Sequence, residues 1–283
     1  MISFREIKPE DRKWIAACRD TQTHPFTALS FASLFSWRKA YGFTIAGEQD
    51  FFVVHSRHDH AYYCPCGDRD KCLRFVRDAI EEEKSVRFLY LTKDQSLEME
   101  REGFQCLMRD DLSEYIADLD SLALREGHHA SNSYKRKVGS FQRSLPYSVR
   151  PVTADDLPLL IDSVKNGAKN GAAHDEDEDV FQTEVMHFTP LGLEGCLLET
   201  DAGQLAFILG YPDTPETFTM TMTKHDSSLP AQVTAVLVYE LASQLSGKYR
   251  LINLEEDLGL AGLRRAKQLY SPIDMLNVYE AIK

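Results

Sequence analysis

The sequence predicts an α+β protein built as two similar domains in tandem, each a mixed, mostly antiparallel sheet flanked by helices. Three observations lead there. A segment near the start, "ISFREIKPEDRKWI" (2–15), returns as "YSVRPVTADDLPLL" (147–160). Laid together without gaps, Ser3, Arg5 and Asp11 meet Ser148, Arg150 and Asp156, while Phe4 and Ile7 meet Val149 and Val152. Each copy alternates apolar residues, turns acidic and then becomes amphipathic, the pattern of a strand entering a helix whose free N–H groups an acid satisfies. The elements that follow each copy come in the same order, and a polar, basic stretch separates the two runs.

Taken in order, "FTIAGEQDFFVVHS" and "DHAYYCPCG" read as antiparallel strands around turns, because apolar and aromatic residues cluster between Gly and Asp. "DRDKCLRFVRDAIEEE" has helical spacing, "VRFLYLT" is a strand, and "DQSLEMEREGF" is a helix leading toward Tyr115. In the second half, "GCLLETDAGQLAFILGYP" is a hairpin turning at Asp201–Gly203, and "ETFTMTMTKH" is a strand. "AQVTAVLVYELASQLS" is a helix, "YRLINLE" a strand and "LAGLRRAKQLY" a closing helix. The expected division is therefore 1–127, a basic linker helix at 128–146 that ends before Pro146, and 147–283.

A chain of 283 residues with 43% hydrophobic and 10% aromatic residues can bury a sizeable core. The opening "MISFREIKPEDRKW" lacks the basic-then-apolar layout of a secretory signal, and no apolar run approaches the roughly 20 residues of a membrane helix. Six scattered cysteines fit a reducing compartment, so a cytoplasmic protein without membrane insertion is expected. The formal charge of −12 argues against broad nucleic-acid binding. It leaves room for a local basic patch, "YKRKVGSFQR", with Lys135, Arg136 and Lys137 at its head. The acidic run "HDEDEDV" (174–180) reads as a solvated loop or helix start. Cys64, Cys66 and Cys72 tempt a zinc reading, but their spacing lacks the tight pairs of structural zinc and a clear fourth ligand, so no metal is assigned. Neither a G-x-S-x-G elbow nor a P-loop is present.

The order of elements, each half opening with an apolar strand carrying Arg and then a helix-capping Asp, resembles the GNAT N-acetyltransferase fold in tandem. The ending "NLEEDLGLAGLRRAKQLYSP" (253–272) is similar to the closing stretch of the phosphatidylglycerol lysyltransferase C-terminal family. "YKRKVGSF", "LGLEGCLLETDAGQLAFILG" and the strand carrying Lys224 follow in that family's order and spacing. The resemblance implies a soluble acyl- or aminoacyltransferase acting on an amine or hydroxyl of a small-molecule acceptor. Its donor would be an aminoacyl-tRNA or an acyl-CoA such as acetyl-CoA. Two departures stand beside it. The Gly-rich turn that cradles coenzyme A pyrophosphate is replaced by "HDSSLPAQV" in the second half and "YYCPCGDRD" in the first. Thr221 and Thr223 stand where relatives carry His and Glu. Both departures keep a second reading open, a ligand-binding module that retains the fold without catalysis.

Acyl transfer needs a base, donors for the developing oxyanion and an acid for the leaving group. Tyr270, at the end of the last helix, stands where the GNAT fold often places that acid; it can equally be a core-edge residue under the Pro272 turn. Asn253 can position substrate or cap backbone. Glu255, Glu256 and Asp257 follow a strand end, a favoured place for ligands, so at least one of them is expected to bind a cationic amine, Glu256 as a substrate-binding residue and Glu255 as a catalytic one beside Asn253 and Tyr270. Helix-dipole stabilisation explains the same acids without chemistry. Arg264 and Lys267 share a helix face and suit a phosphate or carboxylate, or plain surface charge. Lys224 completes the substrate set, and Lys135, Arg136 and Lys137 would hold a phosphorylated or tRNA-borne donor.

Overall fold

The structure is a computed structural model that describes residues 2–22, 26–167 and 175–283. In chain order the elements are α1 (Arg12–Arg19), α2 (Phe31–Trp37), β1 (Thr44–Glu48), β2 (Phe51–Ser56), β3 (Ala61–Gly67), α3 (Arg69–Glu82), β4 (Arg87–Leu91), α4 (Lys93–Arg101) and β5 (Gln105–Asp118). They continue with α5 (Leu119–Leu122), α6 (Asn132–Ser144), β6 (Tyr147–Pro151), α7 (Leu157–Gly167), α8 (Asp175–Met186), α9 (Phe188–Leu191), β7 (Glu194–Thr200) and β8 (Leu205–Pro212). The last are β9 (Thr217–His225), α10 (Val233–Leu245), β10 (Leu251–Asn253), α11 (Ala261–Leu269) and β11 (Asp274–Ile282). The fold is α+β, with mostly antiparallel strand pairing flanked by helices, as the alternation and helical spacing imply.

Two compact units result: Met1–Glu114 together with Leu276–Lys283, and Tyr115–Met275. These limits differ from the expected 1–127, 128–146 and 147–283. The basic helix α6 is an integral part of the second unit, because Tyr134, Val138 and Phe141 repeat at helical spacing and are buried in its core. The acidic run begins α8 from Asp175; His174 lies outside the described residues.

In the first unit the strand order is β1-β2-β3-β4-β11-β5. β3 and β4 are parallel, joined by α3, and β11 lies antiparallel to β4. Although last in sequence, β11 is an interior strand, with Val278 and Ala281 fully buried. Glu280 is held by Arg87 at 2.6 Å and by Arg109 at 3.1 Å, so the charge it takes out of water is paired. The second unit repeats the plan. Its order is β6-β7-β8-β9-β10-β5, with β9 and β10 parallel through α10, and residues 116–118 of β5 antiparallel to β10. Each unit thus takes its closing strand from the other half of the sequence.

The repeated opening segment builds the same device twice. Arg5 grips Asp11 through two hydrogen bonds of 2.8 and 2.7 Å, and the Lys8 N–H donates to the same carboxylate at 2.8 Å. Arg150 grips Asp156 at 2.7 and 2.5 Å, with the Thr153 N–H donating at 2.8 Å. In both, a carboxylate satisfies the first free N–H before a helix while a forked guanidinium fixes the strand that leads in. The core of the second unit is organised by α10, whose Val233, Val236, Leu237 and Leu241 are all at most 1% exposed. Burial of each such side chain contributes roughly 1.5–3 kcal/mol.

Candidate functional site

In the second unit, β10 pairs with β9 from Leu251↔Thr217 to Asn253↔Thr219 and then ends, while β9 runs on to His225. The two strands therefore part beyond Asn253. β9 also bulges there: Leu209 pairs with Met222 and Gly210 with Met220, leaving Thr221 over. Lys224, half-buried, lies on this continuing segment opposite Phe207 of β8.

The other wall is the strand end that the sequence marks. Asn253 is buried, and its Oδ1 accepts the N–H of Glu255 at 2.8 Å. This bond turns the chain, and Glu255 takes a left-handed backbone with φ 61°. A non-glycine residue there costs free energy, so the turn must be held by its surroundings. They do hold it: the Leu254 N–H donates to the Tyr115 carbonyl at 2.9 Å, and the Tyr115 N–H donates to the Glu255 carbonyl at 3.2 Å. Glu255 and Glu256 are half-buried.

Asp257, which the sequence offers as one acid of three, is the fixed centre of this region. It is fully buried. Its carboxylate accepts the Tyr115 hydroxyl at 2.6 Å, Arg264 Nε at 2.6 Å and Nη2 at 3.2 Å, and the Gly259 N–H at 2.8 Å. The Arg264 guanidinium is the main reason that its carboxyl lies at about 2, below the usual carboxylate range. Lys267 donates to the Leu254 carbonyl. Arg264 and Lys267 thus both grip the chain's own acceptors. Tyr270 is 5% exposed, packs edge-on against Tyr134 with centroids 5.6 Å apart, and its phenol is pushed above its ordinary value by burial. Lys135 and Arg136 stand exposed on α6 and Lys137 is half-buried, on the side away from the buried Tyr134 stripe.

The turn between β9 and α10, where "HDSSLPAQV" stands in place of a Gly-rich segment, is held by its own residues. Asp226 accepts the Ser228 N–H at 2.8 Å and the Ser228 hydroxyl at 2.7 Å, and Ser228 also takes a bond from Gln204 at 2.6 Å. Those Ser228 bonds hold the Asp226 carboxyl below its usual range, so this turn carries a negative charge. In the first unit, Asp68 similarly accepts the Lys71 N–H at the start of α3.

Sequence reasoning missed a cavity in the first unit. β3 and β4 pair at Tyr62↔Phe88 and Tyr63↔Leu89 and then diverge, and the space between them measures about 450 Å³. Leu73, Val76, Leu91 and Met99 form its apolar lining with Cys64 and Cys72. Burial raises both thiols, Cys72 to about 12, so neither is a ready nucleophile. The available signal was the parallel strand–helix–strand order, which leaves such a gap whenever pairing stops early.

The sequence pattern of the phosphatidylglycerol lysyltransferase, C-terminal family matches residues 21–282. No curated protein matches the chain. Among solved structures, a conserved protein of unknown function from Bacteroides thetaiotaomicron is 29% identical with a TM-score of 0.86, covering 100% of this chain and 99% of its own. FemX is similar at a TM-score of 0.65 and 9% identity, over 99% and 97% of the two chains. A tandem GNAT protein from the clavulanic acid biosynthesis pathway gives 0.50 and 12%, over 100% and 98%. The fold is GNAT-like.

Proposed function

Because the chain belongs to the phosphatidylglycerol lysyltransferase C-terminal family, we propose that it transfers an aminoacyl group from an ester donor to an amine or hydroxyl of a small acceptor. The donor in this reading is an aminoacyl-tRNA and not an acyl-CoA. The observation that carries the choice is the Asp226–Ser228 turn before α10: its N–H and hydroxyl already serve a carboxylate, and that carboxylate repels pyrophosphate.

The acceptor would meet the donor beyond Asn253, where β9 and β10 part. Attack on the ester carbonyl forms a bond from the acceptor nitrogen or oxygen to carbon, and the ribose oxygen leaves with a proton. In this reading Glu255 attracts an ammonium and takes its proton, and Asn253 fixes the turn that carries it. Lys224 supplies positive charge on the facing strand segment. Tyr270, buried against Tyr134, supports this wall by packing. The exposed Lys135 and Arg136 offer charge to a nucleic-acid backbone.

Purified protein incubated with labelled aminoacyl-tRNAs or labelled acetyl-CoA and a panel of amines tests this. Transfer from aminoacyl-tRNA, reduced at least tenfold in Glu255→Gln, is the expected result. Transfer from acetyl-CoA alone, or from neither donor, overturns it. The first-unit cavity favours a second reading, a ligand-binding module. That reading predicts ligand-induced thermal shifts that persist in Glu255→Gln and Tyr270→Phe without turnover.

A further inference from the structure

The cavity between β3 and β4 has an uncharged polar rail along one side. The Thr21 hydroxyl donates to the Cys18 carbonyl at 2.7 Å, Gln22 Nε2 donates to Thr21 Oγ1 at 3.3 Å, and Gln95 Nε2 donates to Gln22 Oε1 at 3.3 Å. Gln95 Oε1 in turn accepts the Thr92 N–H at 2.8 Å, and the Gln95 N–H bonds back to Thr92 Oγ1 at 3.3 Å. All four side chains line the cavity. The charged residues at its edge are Arg69, Glu98 and Asp94; Arg69 and Glu98 neutralise each other in an ion pair, and Asp94 is exposed to water.

A small recess beside the cavity is bordered by a strained residue. Tyr90 has φ 58°, an uncommon backbone for a bulky side chain, and lies with Cys66, Phe26 and Leu29 around a small recess that shares Cys64, Pro65, Gln22 and Gln95 with the main cavity. Its ring is fixed against Tyr63, with centroids 4.6 Å apart, and against Phe26, 6.2 Å apart. Strain of this kind persists where the surroundings over-determine it, and it clusters at ligand clamps. Here it falls directly after Leu89, the last residue of β4 paired with β3.

An apolar lining, a rail of hydroxyl and carboxamide groups and, among the described residues, no unpaired charge other than the water-exposed Asp94 together select a ligand with an aliphatic body and an uncharged polar end. Among the described residues, a phosphate or carboxylate would meet only Arg69, already paired with Glu98, and an ammonium would meet only that paired Glu98 and the water-exposed Asp94. We propose that this cavity is a binding site for a neutral aliphatic amphiphile, an alcohol or primary amide, whose head bonds to the Thr21–Gln22–Gln95–Thr92 rail. The site does not depend on the transfer reaction proposed above and is separate from the residues assigned to it.

Calorimetry on the full chain with octanamide, octanol, octylamine and octanoate holds the tail constant and varies the head. Octanamide and octanol are expected to bind at least tenfold more tightly than the two charged compounds. Cys72→Phe, which fills the cavity from a half-buried position, should abolish binding of all four. Gln95→Glu keeps the Thr92 N–H acceptor and adds charge to the rail, so it should shift preference toward octylamine by at least tenfold. Equal or tighter binding of octanoate or octylamine by the unaltered protein overturns the proposal, as does binding of none. Unchanged octanamide binding in a folded Cys72→Phe variant, or an unshifted preference in Gln95→Glu, overturns it as well.

Discussion

The Tyr115 hydroxyl donates to Asp257 across 2.6 Å, joining residues 142 positions apart in the chain. Tyr115 opens the second unit and Asp257 ends its marked acidic triplet. The pair, with Arg264, fixes the turn on which Glu255 sits. Tyr115→Phe removes one bond to a buried charge and is expected to cost about 1.5–3 kcal/mol of stability. Asp257→Ala also leaves Arg264 without its carboxylate. Because the Arg264 side chain is 45% exposed, roughly 2–3 kcal/mol is expected, less than for a wholly buried pair. Denaturant unfolding of the two single variants and the double variant measures both, and additive effects would contradict a shared node.

Acid should act through the same residue. The Asp257 carboxyl lies at about 2 in the folded chain, below its ordinary value, so its contribution is complete above the usual carboxylate range and is lost as pH falls toward 2. Asp257→Asn cannot titrate. Its unfolding free energy should therefore start lower at neutral pH and fall less steeply between about pH 5 and 2 than that of the unaltered chain. Parallel curves would show that Asp257 does not carry the acid dependence.

Two glycines should respond in opposite directions to alanine. At Gly210, beside the β8–β9 bulge, an added Cβ would sit 2.1 Å from the Thr219 carbonyl oxygen and 2.4 Å from the Phe218 ring. Backbone and a buried ring must shift, so a loss of about 1–3 kcal/mol is expected. At Gly262, within α11, nothing lies within 4 Å of the added atom. There alanine should stabilise by about 0.5–1 kcal/mol through helix propensity. Thermal melts of the two variants decide it.

Cys72 should be a slow thiol despite its partial exposure. Burial raises its pKa to about 12, which lowers the thiolate fraction near neutral pH by roughly a thousandfold relative to a free cysteine. Mass spectrometry of native protein treated with iodoacetamide should find Cys72 modified far more slowly than after denaturation. Equal rates would mean the cavity wall opens readily.

Much of the fold is legible in the sequence because its signals are local. The Arg5–Asp11 and Arg150–Asp156 pairs sit six residues apart, and their bonds fix the segments that open the two halves. The helices α3, α6 and α10 follow from apolar spacing. β5 and β11 are harder to read, since β5 begins with the polar stretch "QCLMRDD" and the residues that neutralise Glu280 on β11, Arg87 and Arg109, lie more than 170 positions away. For the candidate site, the sequence marks a strand end: Asn253 is the last residue of β10 paired with β9, and Glu255 follows it. The roles are less legible. That Asp257 would be the buried member of the triplet depends on Tyr115, which no spacing rule connects to it. The first-unit cavity escaped because it arises where strand pairing stops, and sequence alternation says where strands run but not where partners part.

The strand exchange sets an order on biosynthesis. The first unit needs residues 276–283 between β4 and β5, so when the first 114 residues emerge from a ribosome their sheet has a gap at an interior position. Until residues 276–283 follow, the edge of β4 that carries Phe88 and Leu91 lacks its β11 partner. The nascent first unit must therefore wait for residues 276–283 before it can close, and a ribosome stalled between β10 and β11 would hold a second unit already made and a first unit still open.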